Sequence, residues 1–474
     1  MAVALSLLLS VSARAVTNGT WAGTSNPWST VGSTGWTNGV VPNGVGDSAT
    51  DSQATASTNQ SIDVGGGVTV GNITANWGGT VNKSWQITLT NSLTMNQDGA
   101  GAGSASIMNA ASSSMTGNTS IFINPGTFVL ADNLFLSNTS NSTRTSGSIR
   151  MRPTITGNGS IWIENVSNDP GHGQITFEAG GNYGGNTTIA SGATTFTRGD
   201  AFSPNPANVV TIGATGKGSA TLVNVSTNMG NMENNFVAAA NTGGTSVLGS
   251  TGAGTGNFLF KPSSNTSSIR LDGDLSFTNP STNAGALLTV GEPITGVGKM
   301  TKIGAGAMRV TESNTYQGGT VVSAGSLAVG TAAAINNGFG FYPATSGKLG
   351  TGDVTVASTA AFLEIESDVV DAIADTANVN LAGGGSPGVA DAGYMKLDGA
   401  VNEIVHTLIL NGAGQAPGTY GSSASSAEFT NDEFFSGSGI LTVTSDVPEP
   451  ASLSLFGIAA AGLLGRRRRR CVAA

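Results

Sequence analysis

The residues able to do chemistry are few and scattered. Asp272 and Asp274 in "LDGDL" stand two apart, so on a strand they share one face and form a minimal cation site. Asp and Gly are equally the residues of a tight turn, and the two readings compete. In "SDVVDAIAD", Ser367 to Asp375, the spacing puts Asp368, Asp371 and Asp375 on one helical face behind Ser367 as N-cap, which predicts a short surface helix. His172 lies between glycines in "DPGHGQ", His406 sits in the apolar "EIVHTLIL", and Cys471 lies near the end of the chain. With two histidines and one cysteine, neither a zinc set nor a serine–histidine pair can be assembled. "GAGTGN", Gly252 to Asn257, is followed by no helix-forming stretch and reads as a turn rather than a phosphate loop. No catalytic, cofactor-binding or metal-ligating set follows from these residues.

The elements that must position them come from composition. Charged residues are 10% of the chain, Gly numbers 70, and Val, Ile and Thr are plentiful. Glycine at turns with β-branched residues between them predicts short, regularly punctuated strands and an all-β fold. The net charge of -9, more negative still without the arginines at the two ends, disfavours nucleic acid or anionic membrane as a partner of the body. Segments recur: "GNTSIFI" at Gly117 with "GNGSIWI" at Gly157, and "ITGNGSI" at Ile155 with "ITGVGKM" at Ile294. Each of the latter two precedes an aromatic-glycine turn, "NYGGNTTI" at Asn182 and "NTYQGGTVV" at Asn314. Repeats of this length point to stacked units that bury their apolar faces only against neighbours. In the clearest unit, Ile294 to Gly330, Met308 and Val310 alternate with Ala307, Arg309 and Thr311, and Leu327 and Val329 follow Gly325. One strand per side, stacked unit on unit, is a β-solenoid.

The ends carry addresses. An apolar stretch from Ala2 to Val11 followed by Ala13-Arg14-Ala15 predicts a secretory signal peptide cut after Ala15. At the other end, Pro448-Glu449-Pro450 precedes an apolar run from Ala451 to Leu464 and then Arg466, Arg467, Arg468, Arg469 and Arg470. As a helix that run reaches about 21 Å, short of a hydrocarbon core of about 30 Å, so it makes a marginal permanent anchor. The arginines should stay in the cytoplasm and the body outside.

This tail resembles the PEP-CTERM sorting signal of Gram-negative bacteria. The resemblance implies that an exosortase-type membrane protease recognises Pro448, Glu449 and Pro450, that Ala451 to Leu464 form a transient transmembrane helix, and that Arg466 to Arg470 are the cytoplasmic stop. The unit at Ile294 to Gly330 resembles the autotransporter-associated β-strand repeat. The matching residues are Gly296 and Gly298, then Lys302, Gly304 and Gly306, then Asn314, Tyr316, Gly318, Gly319 and Thr320, then Gly325 and Leu327. Ile155 to Gly199 reads as a degraded copy without the Lys-x-Gly-x-Gly element. The repeat implies an elongated right-handed parallel β-helix. Autotransporters end in a membrane β-barrel, for which the arginine tail leaves no room, so self-translocation is not expected. The segment with Trp21, Trp28, Trp36 and Val41-Pro42-Asn43 resembles the head of such proteins, and Val401 to Val443 their terminal β segment. The tryptophans would cover an open solenoid end or, alternatively, stack on sugars.

The expected organisation is a signal peptide over 1–15, a tryptophan-bearing head over 16–85, solenoid repeats over 86–400, a terminal cap over 401–446 and the sorting signal over 447–474. The expected product is a secreted cell-surface or extracellular-matrix protein of structural or adhesive role. It would use no cofactor, meet extracellular polysaccharide, and touch membrane only through its tail before processing. The alternatives are a polysaccharide lyase or hydrolase on the same β-helix, which needs carboxylates converging with Lys or Arg, and a glycan-binding protein.

Overall fold

The computed structural model describes residues 15–447 except 24, 29–34, 53–58, 78–82, 99–103, 111–118, 140–146, 171–172, 204–206, 227–230, 241–242, 252–257, 261–266, 284–285, 331–346, 358–359, 368 and 400. Within them the protein is all-β, with a single helical turn at Thr37–Gly39.

Its strands are short and recur in a fixed order along the chain. Ser48–Asp51, Gln60–Asp63 and Val68–Val70 are followed by Asn72–Ala75, Lys83–Thr88 and Ser92–Met95, and each member of the second trio pairs in parallel with its counterpart in the first. The same step repeats through Ser104–Asn109, Thr119–Ile123 and Thr127–Leu130 and onward. The chain thus builds three parallel ladders at once, a pattern consistent with a β-solenoid. The third ladder ends at Gly181–Tyr183, and a new one in the same place in chain order starts at Asn231–Met232.

Parallel sheets normally bury both faces and read as continuous apolar runs. Here the strands alternate, because one face is wrapped inward and the other meets solvent; Asn72–Ala75, for instance, alternates between half-buried and buried residues. In-register pairing then stacks like on like. One inward column runs Ala49, Ile73, Ile107, Leu136, Ile163, Ile189, Ile212, Ala238 and Leu271, all buried, one residue per coil. Each aliphatic side chain removed from water in this way contributes about 1.5–3 kcal/mol.

Polar groups close the corners. Asn109, Asn138 and Asn165 stack at the end of the first ladder. Asn165 Nδ2 donates to Gly173 O at 2.5 Å and to Ala193 O of the next coil at 2.9 Å, while its Oδ1 accepts from Ser167 N–H at 3.2 Å. Asn279 repeats this at the end of the second ladder, donating to Ala286 O and Ala307 O and accepting from Ser281 N–H. Each side chain satisfies carbonyls that the turn would otherwise leave unpaired.

The chain start buries its tryptophans. Trp21 and Trp28 each meet Trp36 edge-on at 5.2 Å, and Trp28 Nε1 donates to Pro42 O at 2.7 Å. All three rings are 2% exposed or less, so they offer no platform for a sugar. At the other end, antiparallel pairing appears between Thr407–Leu410 and Ala413–Gly414 and between Gly418–Gly421 and Ile440–Val443.

The helix predicted at Ser367 to Asp375 is a correction: the described part of that segment is turns and bends. Ala372 and Ile373 are fully buried, and their N–H groups go to the Glu403 carboxylate at 3.1 and 2.7 Å instead of to a helix. Leu349 N–H donates to Ala372 O at 2.8 Å, tying the segment into the stack of coils.

Candidate functional site

The best-ordered constellation on the molecule is a turn system rather than a cleft, and it occupies Ile294 to Gly330. Ile294–Gly296 ends a strand of the first ladder, Met300–Ile303 begins the next strand in the second, and Gly296 and Gly298 make the corner. Gly296 has φ +105°, and a Cβ on Gly298 would sit 2.1 Å from Gly273 O of the preceding coil. Only glycine permits that approach.

Lys302 points inward and is fully buried. Its Nζ donates to the carbonyls of Ile303 at 3.0 Å, Gly304 at 2.7 Å and Ala324 at 3.0 Å. Burial lowers its pKa to about 8. With all three acceptors drawn from the backbone of adjacent turns, the amine staples one coil to the next and is not presented to a substrate. Asn314 staples in both directions, its Oδ1 accepting from Ile294 N–H at 2.7 Å and its Nδ2 donating to Lys348 O at 2.6 Å. Tyr316 is buried with its hydroxyl 2.6 Å from Thr320 Oγ1; loss of solvent raises its pKa to about 12, against the smaller lowering effect of that hydrogen bond.

The copy from Ile155 reproduces these contacts atom for atom. Gly157 has φ +101°, a Cβ on Gly159 would meet Asp132 O at 2.0 Å, and Tyr183 places its hydroxyl 2.5 Å from Thr187 Oγ1. Gly192 and Gly325 then both take positive φ, +75° and +65°. The copies differ in where they sit. Thr154–Gly157 lies in the third ladder and leads into Ile161–Asn165 of the first, whereas Ile294–Gly296 lies in the first and leads into the second. The repeat is displaced by one face.

The candidate carboxylates do not converge. Asp272 and Asp274 lie at the turn between Ile269–Leu271 and Leu275–Thr278; Asp272 pairs with Arg270 at 2.8 Å and Asp274 with Lys299 at 3.2 Å. Asp371 pairs with Lys348, Asp375 is exposed, and Asp368 lies outside the described residues. No group of three or more His, Cys, Asp or Glu able to hold a metal ion occurs among the described residues. His406 is exposed, while His172 and Gly252 to Asn257 lie outside the described residues.

Two buried carboxylates escape a sequence reading because their burial depends on the coil above. Glu292 accepts from Ser267 Oγ at 2.7 Å, and burial pushes its pKa up to about 8. Glu403 is pushed up to about 7 by burial, against the two backbone N–H groups that favour its charge. Both face into packed turns.

Ala13, Pro448, Glu449, Pro450 and Arg466 to Arg470 lie outside the described residues, and Ala15 is exposed. No helix among the described residues is long and apolar enough to cross a membrane.

Two families match parts of the chain. The passenger-associated-transport-repeat matches residues 300–329, the unit whose turns are described above. The PEP-CTERM protein-sorting motif matches residues 446–470. No curated protein and no solved structure matches the chain. The sorting motif supports an exported, surface-directed protein processed by exosortase, a membrane protein.

Proposed function

We propose that this is a structural or adhesive protein of the cell surface or extracellular matrix, with an elongated right-handed β-helix as its body. It is held at the inner membrane of a Gram-negative-type cell only until exosortase acts at Pro448 to Pro450. The observation that carries the reading is the pairing of a sorting motif over 446–470 with a body whose most regular residues, Gly298, Lys302, Asn314 and Tyr316, spend their polar groups on stacking coils. Stiffness and a long polar surface are what such a body supplies. Catalysis is no part of the proposal, since the acidic side chains named above are paired, buried in turns or isolated.

Deleting Pro448 to Pro450 in the native cell should leave the protein in the membrane fraction and deplete it from the surface. Unchanged surface release overturns the sorting half of the proposal. Release of reducing sugar or of unsaturated products from a polysaccharide panel by the purified protein overturns the other half.

A further inference from the structure

The solvent face of the first ladder carries one aromatic stripe. Phe135 and Trp162 are in-register partners on Asn133–Asn138 and Ile161–Asn165, so their rings stand on adjacent rungs about 4.8 Å apart. Trp162 is 39% exposed, whereas the chain's other five tryptophans are 2% exposed or less. Its indole Nε1 donates to Glu164 Oε1 at 2.9 Å, and Glu164 is held in turn by Lys217 at 2.6 Å, which fixes the ring with one π-face presented. Beside the stripe lies a polar column from the same coils, Asn133, Ser160 and Asn186. Asn133 Oδ1 accepts from Ser160 N–H, and Asn186 Oδ1 from Val209 N–H, leaving both Nδ2 groups without a hydrogen bond among the described residues. Together with Thr188 these residues line an open groove of about 620 Å³ whose lining holds no charged side chain.

We propose that this groove binds a neutral polysaccharide chain. Sugar C–H faces stack on the two rings, and the amide and hydroxyl groups of Asn133, Ser160, Asn186 and Thr188 reach the ring hydroxyls. The chemistry selects this class over its rivals. A nucleic acid strand also stacks on aromatics but needs a cationic track, and the nearest cation, Lys217, is committed to Glu164. An acidic glycan finds no counter-charge in the lining. The rung spacing is close to one hexose of an extended chain, so successive sugars meet successive rungs. The site deepens the matrix reading above and rests on it for its setting, but it is tested on purified protein and stands apart from sorting.

Affinity electrophoresis of the full chain through gels containing hydroxyethylcellulose, galactomannan or alginate is the test. The two neutral polymers should include at least one that retards the wild type, and that polymer should protect Trp162 from acrylamide quenching. Trp162→Ala should bind about tenfold more weakly, as should Phe135→Ala, while Trp162→Phe retains most of the affinity. The variants should keep the wild-type circular dichroism, since the ring is on the solvent face. No retardation by either neutral polymer, equal retardation of Trp162→Ala, or retardation by alginate alone overturns the proposal. Self-association of the wild type that Trp162→Ala abolishes, without glycan binding, overturns it too.

Discussion

Glu292 shows how much a single group is governed by its neighbours. Its folded pKa is raised from 4.5 to about 8 by burial, so the folded state holds a proton that the unfolded chain has released. The stability this contributes is fully present below about pH 4.5 and is lost as pH rises through about 8. Glu292→Gln keeps an acceptor for Ser267 and removes the charge. It should match wild type near pH 4.5 in urea unfolding and exceed it at pH 9 by on the order of 3 kcal/mol; parallel pH profiles would contradict the assignment. Nothing in the sequence around "GEPITG" announces this, because the desolvation comes from Ser267 and other residues on neighbouring coils. Trp162 is the opposite case. In "SIWIEN" a tryptophan between two isoleucines already stands on the face opposite the core, and strand parity alone would have separated it from the buried Trp21, Trp28 and Trp36.

At the level of elements, the glycines were the legible part. The Gly-x-Gly pairs marked the corners because two backbones approach there within the reach of a Cβ, a requirement that acts through residue identity. Gly298→Ala and Gly159→Ala, which would place Cβ atoms 2.1 and 2.0 Å from carbonyl oxygens, should each cost about 3 kcal/mol. Gly218→Ala, with open space around its Cβ, should be close to neutral. Matching urea midpoints for all three variants would refute the close-packing account. The predicted helix at Ser367 to Asp375 shows the limit of local pattern: a good N-cap and helical spacing lost to Glu403, thirty residues on, which claims the N–H groups of Ala372 and Ile373. The parallel order of strands was foreseeable from the repeats. Interruption of the third ladder after Gly181–Tyr183 was not, since no motif marks it.

Taken whole, the molecule is stabilised coil by coil, because each strand's partners are the equivalent strands one step before and after. Such a body opens from its ends rather than all at once. Backbone amides in Ile161–Asn165 and Ala220–Asn224 should exchange hydrogen orders of magnitude more slowly than those in Asn18–Trp21, and uniform protection along the chain would argue against this. The displacement of the repeat by one face has a further consequence. The body behaves like a camshaft, in which chain length between two features sets their angle as well as their distance. Removing or duplicating a face's worth of residues would leave every local contact intact yet swing all that follows to another side, turning the Trp162 groove away from whatever the C-terminal end is attached to. Insertions here are therefore rotations, and their size in faces decides whether two binding surfaces on one rod meet the same partner.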